Sequence, residues 1–158
     1  REGRKEPRGR NFMIEIRDMQ FDDLDQAIPI EEANFATPWT ANGFFTFLLR
    51  EDAHFLVAEE EGVILGYCGV ILTPPESDIT NVCVSETCRR KGIAEKLILQ
   101  LKSDLLNRGI QVIHLEVRKS NLPAITLYEK LGFSQDGLRP HYYESPTEDA
   151  VLMSCTMG

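Results

Sequence analysis

The 158-residue sequence predicts an α/β fold in which a central mixed sheet of about seven strands is flanked by four helices. Three observations lead there. Short apolar runs of strand type alternate with segments whose apolar residues recur at 3.6-residue spacing. Most glycines and prolines fall between these segments. Residues 78–117 read as strand, helix, strand, a passage that needs a parallel crossover and so mixes the sheet.

In chain order, residues 14–18 alternate as a short strand. Asp22 or Asp23 can cap a helix through about Phe35, which Pro29 should kink or divide. Pro38-Trp39 ends that segment, and Thr40 can cap a second helix carrying Phe44, Phe45, Phe47 and Leu48. Residues 54–59 and 63–72, separated by Glu61-Gly62, read as a hairpin. Pro74-Pro75 breaks the chain before a strand at 78–84. Ile93, Leu97, Ile98, Leu101 and Leu105 then recur at helical spacing, and Arg108-Gly109 closes that helix. A buried-type strand follows at 111–117. Asn121 caps a fourth helix, with Pro123 near its start, that ends at Gly132. Strands near 133–138 and 150–156 complete the order β-αα-β-β-β-α-β-α-β-β.

A chain of this length suits one domain, able to bury roughly two thirds of its unfolded surface. Residues 1–12 hold five of the 17 basic and two of the 25 acidic residues and no apolar periodicity. They are expected to be a disordered extension or a vector-derived remnant, with the domain spanning 13–158. Without them the balance is 12 basic against 23 acidic. That charge argues against direct nucleic-acid contact and favours basic or aminated substrates by electrostatic steering, although ordinary solubility charge has the same signature. No apolar run approaches the roughly 18 residues that span a bilayer, so a cytoplasmic protein without membrane contact is expected. Cys68, Cys83, Cys88 and Cys155 lack metal-ligand spacing and are expected to be reduced, buried small hydrophobes; no metal is expected.

The segment CVSETCRRKGIA, residues 83–94, runs from a strand through a basic turn into an amphipathic helix. A helix start offers unpartnered N–H groups and the positive end of the helix dipole, so it binds anions. Arg89, Arg90 and Lys91 add charge, and Gly92 permits a backbone conformation that other residues resist. A basic turn that only caps a helix would carry the same residues. The spacing fits neither a dinucleotide fingerprint nor a P-loop. It does resemble, as Arg89-x-x-Gly92-x-Ala94, the (Q/R)xxGx(G/A) pyrophosphate loop of the GNAT superfamily of acyl-CoA-dependent N-acetyltransferases.

A second segment, LEVRKSNLPAITLYEKLGF at residues 115–133, resembles the other half of that family's acetyl-CoA site. Within the family the chain is most similar to bacterial enzymes that acetylate the N-terminal alanine of a small-subunit ribosomal protein. Ala36-Thr37-Pro38-Trp39-Thr40, Asn81-Val82-Cys83-Val84, His114-Leu115-Glu116-Val117-Arg118 and Tyr142-Tyr143 with Glu148-Asp149-Ala150 carry this likeness, and Thr37 departs from it.

The resemblance implies a GNAT-type fold, largely antiparallel, with a V-shaped splay between strands 4 and 5. It implies acetyl-CoA as co-substrate and direct transfer to the α-amine of a protein N-terminus or basic peptide, by a monomer or weak homodimer. Glu116 is then the general base and Tyr128 the acid at the coenzyme sulfur. Val82, Cys83 and Val84 would pair with the pantetheine, and Arg89, Arg90, Lys91, Gly92, Ile93 and Ala94 would hold the pyrophosphate. Asn121 and Tyr128 would also touch the coenzyme. Trp39, Tyr142 and Tyr143 are candidates for substrate contact, or else core or interface residues. A small-amine acetyltransferase and a non-catalytic acyl-CoA-binding module remain alternatives. Chemistry favours the α-amine: deprotonation at pH 7 costs about 1.4 kcal/mol for a pKa of ~8, against about 4.6 for a lysine near 10.4.

Overall fold

The computed structural model describes residues 14–35, 38–88 and 92–157. Its strands are β1 (Glu15–Asp18), β2 (Ala53–Glu60), β3 (Val63–Thr73), β4 (Glu76–Val84), β5 (Val112–Arg118), β6 (Ser134–Tyr143) and β7 (Glu148–Thr156). Its helices are α1 (Leu24–Asn34), α2 (Ala41–Leu49), α3 (Ile93–Leu106) and α4 (Leu122–Lys130), with 3-10 turns at Phe21–Asp23 and Glu86–Cys88. The strands form one sheet in the order β1-β2-β3-β4-β5-β7-β6. Every neighbouring pair is antiparallel except β4 and β5. The mixed, largely antiparallel GNAT-type sheet expected from the sequence is therefore present, with its four helices.

Two of the four helices begin at a side-chain cap that the sequence marks. Thr40 Oγ1 accepts the Gly43 N–H at 3.0 Å and starts α2, and Asn121 Oδ1 accepts the Ala124 N–H at 3.3 Å and starts α4. Asp23 does not cap α1: its carboxylate accepts the Gln20 N–H and both Arg17 guanidinium nitrogens instead. Nor does Pro29 divide α1, which runs on with Ala27, Ile30 and Glu31 buried on either side of the proline.

The helices cover both faces of the sheet. On one face α3 buries Leu97, Ile98, Leu101 and Leu105 completely, beside Ile113 and Met153. Each such side chain contributes about 1.5–3 kcal/mol. On the other face α1 and α2 place Ala27, Ile30 and Phe44 against Phe55, Val57 and Tyr67. All four cysteines are buried. Among the described residues no helix is long and apolar enough to cross a membrane.

The feature that organises the molecule lies between the two central strands. β4 and β5 pair only through Glu76–Val112, Ser77–Ile113 and Asp78–His114, then diverge. A bulge coincides with the parting: Gly69 opposes Asn81 and Val70 opposes Ile79, leaving Thr80 as the extra residue. The bulge re-aims the strand. Ile79 packs with the α3 face, whereas Cys83 joins the cluster on the α1 face. Gly69 is required beside it, because a Cβ there would lie 2.3 Å from the Phe55 ring.

Candidate active site

The divergence of β4 and β5 opens a cleft of about 660 Å³. Ile79 to Val82 line one wall and Leu115 to Arg118 the other, with Asn121 and Tyr128 of the α4 segment along the cleft and Tyr142, Tyr143 and Glu144 beside it. A smaller recess of about 250 Å³ lies at the start of α3, between Val84, Gly92, Ile93, Ala94 and Leu127.

Glu116 reaches the cleft because β5 alternates. Ile113, Leu115 and Val117 are buried, while His114, Glu116 and Arg118 point the other way and are half-buried. Partial burial, and then the charge of Asp78, raises the Glu116 carboxyl above the usual range; Arg139 and His114 oppose them. That direction suits a base working near neutral pH. His114 is engaged elsewhere, with Nε2 2.6 Å from Glu76 Oε1.

Tyr128 lies on the buried side of α4, 8% exposed, packed against Phe133 with ring centroids 5.7 Å apart. Burial lifts its phenol well above the ordinary value, which favours the protonated form. Tyr143 is pushed up to about 12, first by burial and then by the nearby Glu116 and Tyr142.

At the recess, Gly92 precedes α3 with φ +73°, a left-handed conformation, and as the N-cap residue it supplies no capping side chain. The first N–H groups of α3 thus receive no cap from the N-cap residue, and free N–H groups at a helix start are the chemistry an anion needs. Glu95, in the same turn, is neutralised by Lys130 at 3.0 Å. Arg89, Arg90 and Lys91 lie outside the described residues, as do Ala36, Thr37 and residues 1–13.

The structure thus brings Glu116, Tyr128, Asn121, Val82, Tyr142 and Tyr143 to one cleft, and Val84, Gly92, Ile93 and Ala94 to the adjoining recess. It turns the side chains of two expected residues elsewhere, while the backbone of Cys83 stays on the β4 edge. Cys83 is turned away after the bulge, 2% exposed, with Sγ 3.4 Å from the Tyr67 hydroxyl. Trp39 stacks on Phe47 at 4.5 Å and meets Phe44 edge-on at 5.1 Å, within the aromatic cluster of the α2 face.

Sequence reading missed a buried polar node beneath the cleft. Glu31 is 2% exposed and accepts hydrogen bonds from the Tyr67 hydroxyl, from Asn81 Nδ2 at 3.1 Å and from the Trp39 backbone N–H at 2.9 Å. Asn81 also lines the cleft, so the node joins α1, β3, β4 and the segment before α2. A signal existed: Glu31 shares the helical stripe of Ala27, Ile30 and Asn34, where a charge is out of place.

Residues 14–133 match the model of the acetyltransferase (GNAT) family, and the chain belongs to that family. It is an acetyltransferase. Its relatives narrow the class: it is 35% identical over 144 residues to a candidate ribosomal protein bS18-alanine N-acetyltransferase of Bacillus subtilis (strain 168), covering 90% of this chain and 95% of that protein. It is 31% identical over 146 residues to the ribosomal protein bS18-alanine N-acetyltransferase of Escherichia coli (strain K12), covering 90% and 97%. The crystal structure of the ribosomal-protein-S18-alanine N-acetyltransferase from Escherichia coli superposes with a TM-score of 0.86 at 30% identity, over 92% of this chain and 95% of that one. The fold is shared more widely, as with Ard1 from Thermoplasma volcanium at a TM-score of 0.85 and 24% identity.

Proposed function

We propose that residues 13–158 form a single RimI-type domain that transfers the acetyl group of acetyl-CoA to the α-amine of a protein N-terminus, an N-terminal alanine of a ribosomal protein foremost. The observation that carries this reading is the common placement of Glu116, Asn121 and Tyr128 along the β4–β5 cleft, with a recess at the glycine start of α3. Likeness to the bS18-alanine acetyltransferases over nine tenths of the chain supports the acceptor.

In this reading the first turn of α3, with Arg89, Arg90 and Lys91, holds the pyrophosphate. The edge of β4 at 82–84, which β5 leaves unpaired, offers backbone groups to the pantetheine amides. The acyl-CoA supplies the thioester. Glu116 removes the proton of the attacking amine, directly or through water, and Tyr128 donates a hydrogen bond to the sulfur as negative charge develops there. The raised Tyr128 phenol keeps its proton, so the departing thiolate is protonated from solvent. The amine loses a proton, the C–N bond forms, the C–S bond breaks and coenzyme A leaves as thiol.

Incubation of an alanine-starting peptide with acetyl-CoA, followed by fragmentation mass spectrometry, tests the assignment. One acetyl group on the α-amine is expected. Acetylation confined to polyamines or free amino acids would overturn it.

A further inference from the structure

We infer that Arg118 is a positioning residue for the acceptor, a clamp that sets the segment joining β6 to β7 against the cleft; this rests on the acceptor assignment above. Both terminal nitrogens of the guanidinium donate to that one turn and the start of β7. Nη1 donates to the Pro146 carbonyl at 2.9 Å and to Glu148 Oε1 at 3.2 Å, and Nη2 donates to the Glu144 carbonyl at 2.9 Å. Its central carbon also sits 4.6 Å from the centre of the Tyr143 ring.

Strand pairing holds this segment only at its base, where Tyr143 pairs with Glu148. Between Arg139–Ala150 and Tyr143–Glu148 the β6–β7 register slips, and the chain beyond Tyr143 turns back without ladder partners until Glu148. His141 takes a positive φ of 54° at the irregularity. The side chain of Arg118 therefore ties down the turn itself, beyond the Tyr143–Glu148 pair that closes it. Glu148 extends the tie: its Oε2 accepts the Ser120 N–H at 2.6 Å, at the turn that leads into Asn121 and α4.

What is fixed by these bonds is functional surface. Tyr143 and Glu144 line the same cleft as Glu116, and neither lines the α3 recess assigned to phosphate. The Glu144 side chain is exposed there. A lysine at position 118 would keep the charge, but a single ammonium cannot bond two carbonyls and a carboxylate while stacking on a ring.

The test is steady-state kinetics of Arg118→Lys on an alanine-starting peptide, with acetyl-CoA affinity measured by calorimetry and folding by thermal melting. An increase of about tenfold in the peptide KM is expected, with the acetyl-CoA dissociation constant moving by less than about twofold. Glu148→Gln, whose single amide oxygen can serve Arg118 or the Ser120 N–H but not both, should raise the peptide KM about threefold with the same split. A merely structural arginine would lower the melting temperature without that split. Wild-type peptide KM in both variants, or equal losses for peptide and acetyl-CoA, would overturn the clamp. Should Arg118→Lys not fold, the Glu148→Gln split decides alone. Wild-type protein that acetylates no α-amine overturns the acceptor assignment and the clamp together, an outcome visible before any variant is made.

Discussion

The two halves of the β4–β5 pair show what the same two strands can do closed and open. In the closed half the strands exchange backbone bonds, Ser77 Oγ donates to the Val112 carbonyl at 3.1 Å, and Ser77 and Ile113 are fully buried. In the open half the ladder stops, the bulge at Thr80 redirects β4, and Glu116 and Arg118 face a cleft. Closure yields stability; opening yields unpaired backbone and half-buried charge, which are costly in folding and useful in recognition. Substitutions in the open half should fall on activity, and those in the closed half on stability.

The largest expected effect tests the open half. Glu116→Gln removes the base while keeping the shape, so kcat/KM should fall by about 10²–10⁴-fold. An activity within a few-fold of wild type would mean that an alternative base serves the cleft. In the closed half, Ile113→Ala should lower unfolding free energy by about 2–5 kcal/mol while kcat/KM of the folded fraction stays within about twofold. Denaturant titration and initial rates together would break the comparison if Ile113→Ala were inactive yet stable. Tyr128→Phe comes next. Loss of a hydrogen bond to a developing charge is worth about 1.5–3 kcal/mol, or about 10–100-fold in kcat. If Tyr128 gave up its proton fully, a basic limb would appear in the wild-type pH profile and vanish in the variant; a donor that keeps its proton gives no such limb.

Much of the open half was legible in the sequence because its chemistry is local. Asn121 caps α4 wherever α4 goes, and Gly92 punctuates the start of α3. The alternation of residues 113–117 puts Glu116 opposite Leu115 and Val117 without reference to any neighbour. What escaped was tertiary. β4 was expected to begin at residue 78, yet residues 76–78 are its only contact with β5: Glu76 and Ser77 are polar, and their strand character comes from the partner. β6 was expected to end near Leu138 but reaches Tyr143. It is an edge strand, exposed throughout most of its length and interrupted by Pro140, so neither alternation nor propensity marks it. Cys83 was read as part of a regular strand and is turned away by a bulge that only the pairing with β3 reveals. Glu31 reaches Tyr67 and Asn81, 36 and 50 positions away, and Arg118 reaches residues 26 to 30 positions away, distances at which no sequence pattern reports contact.

The smallest effect is the most diagnostic, because in it one residue of the open half is expected to trade stability for function. Burial raises the folded-state pKa of Glu116 above its unfolded value, so ionisation is harder in the folded protein than in the unfolded chain. The folded state binds the proton more readily. Its penalty is therefore fully present above the raised pKa and is relieved as pH falls from there towards the ordinary carboxylate value. Glutamine carries no such penalty. Glu116→Gln should thus melt at a higher temperature than wild type at neutral pH, with the gap closing as pH is lowered towards about 4. The same titration should appear as the acidic limb of wild-type kcat/KM, at a midpoint above that of an ordinary glutamate. A melting gap that is independent of pH, or of opposite sign, would show that Glu116 is solvated like any strand-end charge and that the cleft does not tune it.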